Sequence, residues 1–148
     1  MTQIIMSIKP CYVQKILSGE KTVELRSRKL NVQNGARMWI YSTLPKGCVE
    51  VVAIIQSIEY NHPDIIWARY AKELAITYEE FQRYVHDNEA VSAIRLSNVT
   101  KVNNPLTLDS IRSCIQRFHP PQFFSHLSSN MELSDLLIRE GFEQNMAF

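Results

Sequence analysis

Apolar positions change spacing twice within the first 26 residues. Ile4 to Ile8 is a short apolar run and predicts a first strand. From Pro10 to Ser18 the apolar residues Val13, Ile16 and Leu17 fall on one helical face, and Pro10 suits a first helical position. Gly19 reaches positive φ cheaply and so ends that helix. Thr22 to Arg26 then alternates, with Val23 and Leu25 pointing one way and Thr22, Glu24 and Arg26 the other. This predicts a strand with an apolar inner face and a charged outer face, entered from a tight turn that carries Lys21. Ser27 to Gly35 is polar and holds an Asn34-Gly35 turn signal. Arg37 to Ser42 is aromatic and β-branched, a strand that Leu44-Pro45-Lys46-Gly47 breaks. Cys48 to Glu59 is rich in Val and Ile and predicts a central, mostly buried strand.

The second half is more helical. His62-Pro63 opens a helix to about Lys72. Thr77-Tyr78-Glu79-Glu80 is a capping box that opens another to about His86. Ala90 to Val102 returns to strand character, and Asn103-Asn104-Pro105 is expected to close it. Helices are expected at Thr107 to Arg117 and, after His119-Pro120-Pro121, at Gln122 to Leu127. The last helix runs from an Asn130 cap to Arg139, with Leu133, Leu136 and Leu137 inward and Gly141 as its stop. Five or six strands without regular βαβ alternation predict an α+β fold: a small mixed or antiparallel barrel, with helices at its rim and a C-terminal helix.

A length of 148 residues suits a single domain, 1–148, with a core at about 4–127 and a helical tail at 128–148. With 45% hydrophobic and 21% charged residues the composition is that of a soluble globular protein. The longest apolar run, Val51 to Ile55, is too short for a bilayer, so no membrane partner is expected. No signal peptide is expected at the N-terminus. Cys11, Cys48 and Cys114 are odd in number and far apart, which favours a reducing, cytoplasmic setting over a disulfide framework. The four histidines make no ligand-spaced pair, and no phosphate or dinucleotide loop is present, so neither metal nor cofactor is expected.

Charge changes the picture. Net charge is +1, yet positions 9 to 46 carry eight basic residues against Glu20 and Glu24, giving +6 there and −5 over the rest. Such asymmetry points to an anionic partner for the N-terminal part, or to a solvated basic face. Within it, Lys21 can supply a cation for phosphate or, if desolvated, a base. Glu24 can take a proton or orient Lys21, or simply pair with a neighbouring cation. Arg26 and Arg28 suit bidentate phosphate contacts, and Lys9 adds a further cation. Trp39 and Tyr41 share a strand face. Trp39 reads as core, while Tyr41, with the hydroxyls of Ser42 and Thr43 beside it, is the candidate to stack on a base.

The run Ser7-Ile8-Lys9-Pro10, followed by Ile16-Leu17-Ser18-Gly19-Glu20-Lys21-Thr22-Val23-Glu24-Leu25-Arg26, resembles the signature of the ASCH domain family, a PUA-like β-barrel. That signature is a helix, a G-x-K turn and E-x-R on a strand. Trp39-Ile40-Tyr41-Ser42-Thr43 and a following proline resemble the family's next strand and turn, and Pro120-Pro121-Gln122-Phe123-Phe124 resembles a C-terminal motif of some members. The resemblance implies a cleft between barrel and helices, lined by the lysine, glutamate and arginine. It also implies RNA or other nucleic acid, or a modified nucleoside, as partner. One branch of the family resembles an amidohydrolase of N4-acetylcytidine and another shows ribonuclease activity. Lys21 matches the lysine of the amidohydrolase branch, but Glu24 stands where that branch has a threonine. The expected function is therefore a nucleic-acid-binding module. The alternative is a small hydrolase using Lys21 and Glu24, and a regulator acting through protein contacts is a weaker third. The oligomeric state is left open.

Overall fold

In β1 (Gln3–Ile8), the five residues from Ile4 to Ile8 are all buried, so both faces of the strand are covered. Because side chains alternate, Ile4, Met6 and Ile8 enter one apolar cluster while Ile5 enters another. That division organises the computed structural model, which describes residues 1–143. The helix α1 (Pro10–Ser18) follows, then β2 (Val23–Arg26), β3 (Arg37–Ser42) and β4 (Cys48–Asn61). Next come α2 (Pro63–Leu74), α3 (Tyr78–Val85), β5 (Val91–Thr107) and α4 (Leu108–Cys114). A short strand β6 (Phe124–His126), a 3-10 turn, α5 (Met131–Ile138) and a π-helical turn at Arg139–Glu143 complete the described chain.

The six strands form one mixed sheet in the order β2-β5-β4-β3-β1-β6, a half-barrel in which β1 and β3 are parallel and the other pairs antiparallel. Its concave cluster packs Ile4, Met6, Met38, Ile40 and Val51 against Val13 and Ile16 of α1. The opposite face packs Ile5, Trp39 and Val52 against Ile111 of α4 and Leu133, Leu136 and Leu137 of α5. A third cluster joins Val23 and Leu25 of β2 to Ile66, Leu74, Phe81 and Val85 of the two middle helices. The long strands β4 and β5 bend through three register shifts, which lets one pair of strands serve all three clusters.

Several sequence-based expectations need correction. Asn103-Asn104-Pro105 does not close β5, which runs on to Thr107. Val51 pairs with Lys101 and Val49 with Leu106, so residues 102–105 bulge opposite Glu50 and Pro105 costs no ladder hydrogen bond. Helix α4 stops at Cys114 instead of Arg117. Gln122 to Leu127 is not a helix. Phe124, Ser125 and His126 pair with Met6, Ile5 and Ile4, and the Ser7 hydroxyl donates to the Pro121 carbonyl at 2.6 Å. The free edge of β1 is a tertiary feature that local periodicity does not report. Gly141 does not stop α5. It lies in the π-helical turn, where a Cβ would come within 2.7 Å of the Trp39 ring. The last five residues of the expected tail, 144–148, lie outside the described residues. No helix among the described residues is long and apolar enough to cross a membrane.

Candidate functional site

Gly19, at φ 83°, turns the chain out of α1, and three backbone hydrogen bonds then fix the approach to β2. The Lys21 N–H donates to Lys15 O, the Thr22 N–H to Glu73 O, and the Leu96 N–H to Thr22 O. This ties the turn to the end of α2 and points the Lys21 side chain inward, leaving it only 2% exposed. Its Nζ donates to the Leu74 carbonyl at 2.7 Å, and Lys15 Nζ donates to the next carbonyl, Ala75, at 2.7 Å. Both ammonium groups therefore sit at the C-terminus of α2, where unpaired carbonyls concentrate negative charge.

Glu24 is buried and lies between two cations. Its Oε1 is 3.6 Å from Lys21 Nζ and accepts the Leu25 N–H at 3.1 Å; its Oε2 is 3.2 Å from Arg26 Nη2. Burial lowers the pKa of Lys21 and outweighs the opposing pull of the Glu24 charge. The same Arg26 Nη2 donates to Ser7 O at 2.5 Å, and the guanidinium lies 5.6 Å from the centre of the Phe123 ring. Arg26 Nε is buried and makes no hydrogen bond to any described residue, so one donor of the site is left over.

Two hollows meet here. The inner one, about 40 Å³, is walled by Tyr12, Lys21, Glu24, Glu80 and Tyr84. The outer one, about 550 Å³, is lined by Arg26, Arg28, Tyr84, Gln122, Phe123 and Phe124, and among the described residues no carboxylate lines it. Tyr84 belongs to both, and its hydroxyl accepts the Ser27 N–H at 3.2 Å. The inner space has room for two or three waters at about 15 Å³ each. The outer one falls within the range of roughly 300–1,000 Å³ of small-ligand sites.

The structure thus brings together Lys21, Glu24, Arg26 and Arg28. It does not bring the other expected residues to this cleft. Tyr41 is 2% exposed, and burial raises its phenol pKa. Ser42 is fully buried and its hydroxyl donates to Glu50 Oε1 at 2.8 Å. The physical reason is that both faces of β3 are packed, Met38 and Ile40 in one apolar cluster and Trp39 and Tyr41 in the other, so Tyr41 has no open face for a base. Thr43 is half-buried with its N–H on Ile8 O, and Lys9 is exposed at the start of α1; neither lines the cleft. Trp39 is core, as expected, with its Nε1–H on Gln3 Oε1 at 3.2 Å. Tyr12 and Tyr84 carry no signal in the sequence, and Glu80 signals only its capping box. On a helix each reads as an ordinary amphipathic position, and only the packing of α1 and α3 over β2 reveals them. Phe123 is visible there only as part of a motif.

A half-barrel sheet with a G-x-K turn at its mouth defines a PUA-like domain. Residues 1–115 match the model of a family described as a domain of unknown function (DUF365). An ASCH domain-containing ribonuclease of Zymomonas mobilis subsp. mobilis is 30% identical over 125 residues, covering 84% of each chain. The crystal structure of a mutant of the Zymomonas mobilis ASCH protein superposes with a TM-score of 0.84 at 28% identity, covering 93% of this chain and 97% of that one. The human THYN1 protein, crystallised with DNA containing 5-methylcytosine, shares the fold at a TM-score of 0.59 and 10% identity, over 97% and 99% of the two chains. The chain belongs to the ASCH domain family.

Proposed function

We propose that this chain binds single-stranded RNA in the outer cleft. The observation that carries the reading is the composition of that cleft: two guanidinium groups beside the aromatic rings of Tyr84, Phe123 and Phe124, with no lining carboxylate. Guanidinium groups match phosphate oxygens in pairs, and aromatic faces accept any base. Arg26 is held in place by Glu24 and the Ser7 carbonyl, while the Arg28 side chain has no partner among the described residues and is free to take a phosphate. Lys21 and Glu24 act behind this surface as the pair that positions Arg26.

Anisotropy titration of a labelled single-stranded oligoribonucleotide tests this. Arg28→Ala is expected to weaken binding and flatten its salt dependence, and Tyr84→Ala to cost about 1–3 kcal/mol of stacking. Equal affinity for wild type and both variants would rule out the cleft.

A second reading, ribonuclease activity at the same site, is favoured by Lys21. It is buried at the inner end of the cleft, burial lowers its pKa, which is the direction a proton acceptor needs, and a 30% identical relative is named a ribonuclease. Cleavage of labelled RNA by the wild type and its loss in Lys21→Met is the expected outcome for that reading. An amidohydrolase acting on N4-acetylcytidine needs the nucleobase to reach Lys21 through a space of about 40 Å³, so it also requires the cleft to open. Acetate release measured alongside RNA cleavage separates the two.

A further inference from the structure

On the far side of β6 lies a further hollow of about 230 Å³. Pro121 and Ser125 line both this hollow and the outer cleft, so the two adjoin at a three-residue strand. Its floor is apolar, with Ile5, Leu127 and Leu133 buried. Its rim carries Arg117, His119 and His126, all exposed, and no carboxylate lines it. Arg117 has no hydrogen bond or ion pair to another described residue. Arg112 stands behind, its Nε donating to Phe118 O at 3.0 Å and its Nη2 lying 3.4 Å from His119 Nδ1. The His126 ring packs against Phe124, 5.5 Å between centres, and so links this rim to the aromatic wall of the cleft.

The placement has a direction. β6 is an edge strand, so one row of its backbone groups faces away from β1. From Phe124 to His126 it advances about 7 Å, a length comparable to one nucleotide step of an extended strand. Arg28 lines the hollow on one side of Pro121 and Ser125, and Arg117 and His126 line the hollow on the other.

We propose that this hollow is a second phosphate subsite. An RNA strand seated in the cleft crosses β6 and places its neighbouring phosphodiester between Arg117 and His126. The inference rests on the RNA reading above and assigns the strand its path and minimum length. The basic excess at positions 9 to 46 gives no hint of the subsite, because its cations come from the other end of the chain.

The test compares a dinucleotide with a hexanucleotide, both labelled single-stranded RNA, on wild type, Arg117→Ala/His126→Ala and Arg28→Ala. The wild type is expected to hold the hexanucleotide roughly tenfold more tightly, about the strength of one charge-assisted hydrogen bond. The double variant loses that gain but keeps the dinucleotide affinity, and its salt slope falls by about 0.7 for each phosphate it no longer neutralises. Arg28→Ala weakens both oligonucleotides. A double variant that binds the hexanucleotide like wild type, or that loses both oligonucleotides equally, overturns the subsite while leaving the cleft reading intact. If wild type binds neither, the RNA reading has failed and the subsite falls with it. Circular dichroism of the double variant checks its fold, which two exposed side chains do not support.

Discussion

Lys21 is held in water-poor surroundings by one carbonyl, one carboxylate and one aromatic face. Removing it takes one of two cations from the buried Glu24 and leaves the Leu74 carbonyl without its ammonium partner. Lys21→Ala is expected to lower stability by about 3–5 kcal/mol, the usual loss when one partner of a buried ion pair is deleted. Urea denaturation checks this, and a loss below about 1 kcal/mol would show that the site relaxes around the gap. Lys21→Met combined with Glu24→Gln keeps the volume and leaves no carboxylate short of a cation, while Arg26 retains its bond to Ser7 O, and it is expected to unfold nearer to wild type than Lys21→Ala. The lowered pKa adds a pH signature. Between that lowered value and the ordinary lysine value of 10.5, the unfolded chain holds the proton that the folded chain has released. The unfolded state then binds more protons, so stability gained through Lys21 rises with pH across that window. The melting temperature of wild type should therefore gain on that of Lys21→Met as pH rises towards 10.5, widening the gap between them. Both proteins share the phenols of Tyr12, Tyr41 and Tyr70, all raised in pKa by desolvation, which lower stability once pH passes the ordinary phenol value of 10.0, so the difference between the two curves isolates Lys21. Parallel curves would contradict the assignment.

Among elements, the C-terminal segment shows how a short stretch can be fixed by what it touches. Gly141 lies against Trp39, and Phe142 stacks on the same ring at 5.2 Å between centres. Gly141→Ala must push an indole that is itself fully buried, and is expected to cost about 1–3 kcal/mol. Thermal or urea unfolding reads this directly. An unchanged midpoint would mean that the turn can move off the sheet. Helix α3 illustrates the converse. Its capping box, with Thr77 Oγ1 accepting the Glu80 N–H at 3.1 Å and Glu80 Oε1 accepting the Thr77 N–H at 3.2 Å, is legible from four residues. What the box achieves, placing Tyr84 at the junction of two hollows, depends on Phe81 and Val85 packing against β2 and β5.

Across the whole molecule, charge placement matters more than charge count. The basic excess of positions 9 to 46 does not gather on one face. Lys15 caps α2, Arg37 donates to Gln3 Oε1 and lies over Phe142, Lys46 pairs with Glu50, and Lys29 lies over Tyr60. Only Arg26 and Arg28 of that group line the cleft. Arg28→Ala and Lys9→Ala remove the same net charge, yet only the first is expected to reduce the salt slope of RNA binding, by about 0.7. Equal slopes would mean that the field of the whole protein, not the cleft, attracts the strand.

Local signals, wherever they are dictated by backbone chemistry, were readable in the chain. The proline-started helix, the Gly19 turn, the alternation of β2, the capping box and the Asn130 cap all depend on residues within four positions of one another. So were Lys21, Glu24 and Arg26 as a group, because a strand entrance concentrates them in six residues. What packing decided is everything that needs a distant partner. The free edge of β1 drew Phe124–His126 into a strand, the bulge opposite Glu50 carried β5 through Pro105, and packing on both faces of β3 kept Tyr41 and Ser42 out of the cleft. The charged face of β2 was expected to meet solvent, yet α1 and α3 close over it, so Lys21 and Glu24 face each other in a cavity of a few waters. Periodicity reports which way a side chain points from its own strand, while burial depends on what the rest of the chain lays across it.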